Sequence, residues 1–108
     1  MANDDTSALL TARGLAPAVV SALRDVADWA TRRGVHLLVF GSFATGDNRP
    51  GSDLDLAIPE DAVVSPEMRR ELTSRIEDLP TVRPIDLVDL SEVSEPFRRA
   101  ALRDARPL

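Results

Sequence analysis

Asp53 and Asp55 stand two residues apart in Ser52-Asp53-Leu54-Asp55-Leu56, inside a stretch that alternates polar and apolar residues. Successive side chains on a β-strand point to opposite faces, so both carboxylates project the same way with Cα atoms roughly 6.6 Å apart. Carboxylates so placed can share hard cations: Mg²⁺ takes oxygen ligands at about 2.0–2.1 Å, and paired ions sit about 3.5–4 Å apart. Asp86, in Ile85-Asp86-Leu87-Val88, offers a third carboxylate from another strand-like segment. Three like charges on one rim repel unless cations neutralise them, so the cluster implies a metal. Alone, an Asp-x-Asp pair favours a plain solvated strand face.

The loop before the pair changes that balance. Gly41 and Ser42 leave an apolar run at a turn, where a helix start would present unpaired backbone N–H groups to an anion. Glycine lets a triphosphate approach the backbone closely, and the Ser42 hydroxyl can donate to a phosphate oxygen. Two other motif readings fail on chemistry. Gly41 and Gly46 have Walker A spacing, but Asp47 occupies the place of the required lysine. Asp47 to Asp55 resembles a calcium loop only superficially, since Arg49 and Gly51 stand where oxygen ligands belong and no glutamate closes the ring.

The elements that must position these groups follow from periodicity. Val19, Val20, Leu23, Val26, Ala27 and Ala30 recur at three and four between Pro17 and Arg33, which predicts one helix stopped by Gly34. Val35 to Phe40 reads as a strand buried on both faces, and residues 41–52 as the main loop, with room for one helical turn near Phe43 and Ala44. Residues 53–58 form a half-buried strand. A helix capped by Ser65, with Pro66 at its first position, carries Met68, Leu72, Ile76 and Leu79. A third strand covers about 82–87, with Pro84 suiting an edge or a strand start, and a last helix runs from near Glu95 to Asp104. Residues 1–14 form a loose arm or short helix before a domain spanning 15–108.

Composition narrows the chemistry further. The 108 residues include no cysteine, which excludes disulfides, thiolate metal sites and a cysteine nucleophile. All thirteen basic residues are arginine, so no lysine is available as nucleophile or phosphate ligand. A formal charge of -5 makes nucleic acid a poor partner. No apolar run is long enough to span a bilayer, and the N-terminus lacks a signal-peptide pattern, so a cytoplasmic location is expected.

Gly41-Ser42-Phe43-Ala44-Thr45-Gly46, a loop, and then Ser52-Asp53-Leu54-Asp55-Leu56 resembles the signature of the minimal nucleotidyltransferases of the polymerase-β-like superfamily. Ile85-Asp86-Leu87-Val88 resembles the strand bearing that family's third aspartate, and the resemblance covers roughly residues 15 to 105. It implies an α/β (α+β) fold, a small mixed sheet with helices packed on one side. It further implies that Gly41 and Ser42 hold the triphosphate, that Asp53 and Asp55 ligate two Mg²⁺ ions, and that Asp86 ligates one and helps activate the attacking hydroxyl. Many relatives carry arginine where Phe43 stands, so Arg49 is the candidate for the missing cationic contact to the nucleotide. Ala105 and the terminal Leu108 replace a glycine and an aromatic common in relatives.

Family members this small often pair with a helical HEPN toxin, which implies an antitoxin that transfers AMP from ATP to a toxin tyrosine. The alternatives are a module that neutralises its partner by contact alone, and an enzyme acting on a small hydroxylated molecule such as an aminoglycoside. Strand parity separates Asp86 from Asp89, which would share the face of Ile85 and Leu87. His36 reads as a structural histidine in a buried strand. Arg98, Arg99, Arg103 and Arg106, with Phe97, Ala101 and Leu102 as an apolar centre, offer a surface for an acidic partner.

Overall fold

Alternation along the strands decides which side of the sheet becomes core. A computed structural model describes residues 4–108. The elements are α1 (Asp4–Ala12), α2 (Pro17–Thr31), β1 (Leu38–Phe40), α3 (Ser42–Thr45), β2 (Leu54–Ile58), α4 (Pro66–Glu77), β3 (Ile85–Asp89), α5 (Glu95–Asp104) and β4 (Arg106–Pro107). They build one sheet in the order β3-β2-β1-β4. β1 runs antiparallel to both β2 and β4, whereas β2 and β3 are parallel and joined through α4.

Val39, Leu54, Leu56 and Ile58 are fully buried on one face, in a cluster with Leu23 and Trp29 of α2 and Leu72 and Ile76 of α4. The Ser65 hydroxyl accepts from the Met68 N–H at 3.1 Å, which fixes the start of α4. Trp29 ties the two helices together from the side, with the guanidinium groups of Arg33 and Arg75 at 4.4 and 4.5 Å from its ring centroid. The opposite face carries Phe40 and Ala57, which pack with Leu90 and with Ala101 of α5. The mixed sheet is as the sequence predicts, but helices on one side only are not: α5 covers the second face because Phe40 and Ala57 leave apolar surface there.

Three further differences have local causes. Residues 1–3 of the expected arm lie outside the described residues; beyond them α1 forms, and its Leu10 joins the main core together with Leu15. The strand expected over 35–40 pairs only from Leu38, and His36 is exposed, so its reading as a buried structural histidine is overturned. Val35 and Leu37 stay buried without a strand ladder, and the Leu37 carbonyl accepts from the Leu108 N–H at 2.9 Å. β4 was not anticipated: it has two residues, one of them proline, and no periodicity marks so short an edge.

Asp89 ends β3 on the α4 side, where Arg69 reaches it at 3.4 Å, as parity requires. Among the described residues no helix is long and apolar enough to cross a membrane. Leu56 is 0% exposed on the central strand β2. Leu56→Ala is expected to lower unfolding free energy by about 2–5 kcal/mol, read from the urea midpoint at unchanged slope.

Candidate active site

The register of the parallel pair sets the acidic rim. Asp55 is the Cα partner of Asp86 across β2 and β3, so their side chains leave the same face side by side. Asp53 precedes β2 by one residue and shares the parity of Asp55. Asp53 and Asp86 are exposed, whereas Asp55 is half-buried. On the other side of β2, Phe40 is the Cα partner of Asp55, and the chain then turns through Gly41 into α3.

Gly41 has φ 71° and ψ -152°, a conformation open essentially only to glycine. A second constraint acts at the same atom. A Cβ built on Gly41 would lie 2.2 Å from Oδ2 of Asp55, so the carboxylate rests directly against bare backbone. Ser42 starts α3, in which the Ala44 and Thr45 N–H groups donate to the Gly41 carbonyl at 3.0 and 3.1 Å, so that only those of Ser42 and Phe43 lack an acceptor within the turn. Gly41, Ser42 and the aspartate pair, named from the sequence, therefore meet at one end of the sheet.

Asp55 holds its proton more firmly than an ordinary aspartate. Burial is the main cause, and the charges of Asp86 and then Asp53 add to it. The three carboxylates are thus close enough to repel one another. Among the described residues no three acidic or histidine side chains close into a ready-made metal-ligand group. All-oxygen donors on adjoining strands, with one carboxylate destabilised by its neighbours, nevertheless fit a hard divalent cation, which would relieve that repulsion.

The remaining sequence candidates are placed differently. Arg49 is exposed and lines a pocket of about 380 Å³ with Arg13, Gly14, Asn48, Pro50 and Arg83, none of them acidic. Arg13 escaped the sequence reading. Its Nη1 donates to the carbonyls of Phe43 at 2.6 Å and Ala44 at 2.7 Å, pinning α3 from below, and Asn48 donates to its carbonyl. An arginine in a turn carries no periodic signal, so only the fold could reveal it. Arg83 donates to the Ser52 carbonyl at 2.6 Å, and its guanidinium lies 5.1 Å from the Phe43 ring centroid. Phe43 itself is core, 1% exposed.

The C-terminal arginines do not form one surface. Arg98 faces inward, bonding the carbonyls of Leu90 and Val93 and pairing with Glu60 and Glu95. Arg106 lies in β4, and Ala101 is buried, which leaves Phe97 and Leu102 as the exposed large apolar residues of α5.

Asp55 yields a signed prediction. A carboxyl whose folded pKa is raised contributes stability that is complete below its unfolded pKa and is lost as pH rises through the folded value. In a chelator at neutral pH, Asp55→Asn is expected to melt above the parent protein, with the gap closing in acid; an equal or lower melting temperature at neutral pH contradicts the repulsion. Gly41→Ala should do the reverse, costing about 1–3 kcal/mol in urea unfolding from backbone strain alone.

Comparison with known proteins agrees with this geometry. The family model described as polymerase beta, nucleotidyltransferase matches residues 34–108. A solved structure described as a minimal nucleotidyltransferase superposes with a TM-score of 0.63 at 32% identity, over 78% of this chain and 86% of that one. A crystal structure of a toxin-antitoxin with AMP-PNP gives a TM-score of 0.52 at 23% identity, over 68% of this chain and 59% of that one. That second likeness is one of fold, and this chain spans less than two thirds of the other's length. No curated protein matches the chain. A matched segment containing Gly41, Ser42 and all three aspartates, on a mixed four-stranded sheet of the expected class, places this chain in the polymerase-β nucleotidyltransferase family.

Proposed function

We propose that this domain transfers a nucleoside monophosphate, AMP from ATP, to a hydroxyl acceptor, and that the acceptor is a tyrosine of a helical HEPN-type toxin, making the domain an antitoxin. The observation that carries the reading is the pairing of Asp55 with Asp86 in register, beside a glycine that no side chain can replace without striking Asp55. The toxin-antitoxin structure containing AMP-PNP supports the nucleotide and the type of partner by likeness of fold.

Gly41 and Ser42 receive the phosphates through backbone N–H groups and the serine hydroxyl. Asp53, Asp55 and Asp86 would hold two Mg²⁺ ions, and the chemistry such ions would supply when bound is neutralisation of the triphosphate and of the charge that develops during transfer. Asp86, at the exposed edge strand, faces the incoming acceptor and takes the proton from its hydroxyl. The acceptor oxygen bonds to the α-phosphorus as the bond to the bridging oxygen breaks, and pyrophosphate leaves in line. Arg49 contacts the nucleotide only if the loop carries it toward the rim.

Neutralisation by contact alone is the second reading, favoured by Leu102, which is 43% exposed beside Pro59 and Leu90. A small-molecule acceptor is the third. ATP labelled at the α-phosphate, incubated with Mg²⁺ and the helical protein encoded alongside, should label a tyrosine, and Asp53→Asn with Asp55→Asn should abolish labelling. Neutralisation by the double variant without any transfer establishes the contact reading instead.

A further inference from the structure

Between α5 and the start of α3 lies a cavity of about 220 Å³ lined by Phe40, Gly41, Thr45, Phe97, Ala101 and Asp104. Its makeup differs from that of the acidic rim, because its walls are almost wholly apolar. Phe40 forms its inner side, and the Phe97 ring stands edge-on to Phe40 at 6.1 Å and 80° while remaining 43% exposed. Gly41 is common to this cavity and to the carboxylate site: Asp55 presses on its Cα from one side and the cavity opens from another.

We infer that this cavity is the ring subsite of the nucleotide, taking a nucleobase with an exocyclic amine. The inference rests on the nucleotidyl-transfer reading, since Gly41, which receives the phosphates in that reading, also lines the cavity. The volume is below that of a drug-sized pocket and suits one flat ring. An exposed aromatic face is the standard platform for a base, tolerant of sequence because every base has a π-face. Discrimination comes from Asp104. Among the described residues its carboxylate has no ion pair or hydrogen bond, and an ionised carboxylate can only accept. Adenine, cytosine and guanine each offer an amine to it, whereas uracil does not. Thr45 is the weaker acceptor, because its neutral hydroxyl already donates to Asp47 at 3.0 Å and accepts from the Asp47 N–H at 3.3 Å.

Calorimetric titration of the whole chain with ATP, UTP and inorganic tripolyphosphate, each with Mg²⁺, tests this. ATP should bind more tightly than tripolyphosphate and than UTP. Ala100→Trp, which fills the cavity from an exposed position of α5, should weaken ATP by about tenfold or more, the scale of one lost stacking surface, and leave tripolyphosphate unchanged. Phe97→Ala should act in the same sense, and Asp104→Asn should narrow the preference for ATP over UTP. Retained tripolyphosphate binding shows that each variant is folded. Equal affinity of ATP and tripolyphosphate overturns the ring subsite and leaves the transfer reading standing, whereas absence of binding by both overturns the two together. Unchanged ATP affinity in Ala100→Trp with lost labelling of the acceptor tyrosine reassigns the cavity to the acceptor and overturns the inference.

Discussion

A charged oxygen resting on bare backbone is the contact from which the rest of this site takes its form. Asp55 can occupy the inner position of the rim only because Gly41 offers no side chain, and Gly41 can turn the chain into α3 only through a conformation closed to other residues. The two demands fall on one residue. They bring β1, which runs into the Gly41 turn, against β2, which carries Asp55 and follows directly on Asp53. The antiparallel register that sets Phe40 opposite Asp55 is what holds that approach in place.

The same face of the sheet serves two opposed purposes. Near β3 it gathers negative charge, and near β1 it gathers Phe40 and Ala57 beneath α5. Burial alone would favour extending the apolar patch, while the charges require water or cations. The boundary runs through Gly41 and Asp55, which explains why Asp55 is at once half-buried and reluctant to ionise. The destabilisation of one carboxylate is the cost of placing it where apolar packing meets a cluster of like charges, and such cost is common where function opposes stability.

Much of this was legible in advance, for identifiable reasons. The helices α2 and α4 announced themselves through proline at their starts, with serine capping α4, and through three-four spacing, and α5 spans the range expected for it. The parity of β2 and β3 separated Asp53, Asp55 and Asp86 from Asp89 before any coordinates. Long-range contacts were not legible. Nothing in local periodicity ties Arg13 to the carbonyls of Phe43 and Ala44, or sends Arg98 inward to Leu90 and Val93. His36 misled because apolar neighbours on both sides imitate a strand, whereas the ladder starts two residues later and leaves the imidazole exposed. One-sided packing is what the family resemblance implies, and Ala57, beyond Asp55 on the second face, is too small to signal that a helix lies over it.

The placement of α5 also gives a physical meaning to the departures near the C-terminus. Arg98 anchors its first turn to the carbonyls of Leu90 and Val93, while the chain after Asp104 returns to the sheet as β4 and ends with the Leu108 N–H on the Leu37 carbonyl. The helix is therefore held at both ends, and the cavity beside Gly41 lies along its middle. No glycine is required after α5, because Ala105 takes an extended conformation, φ -61° and ψ 143°, that any residue can adopt.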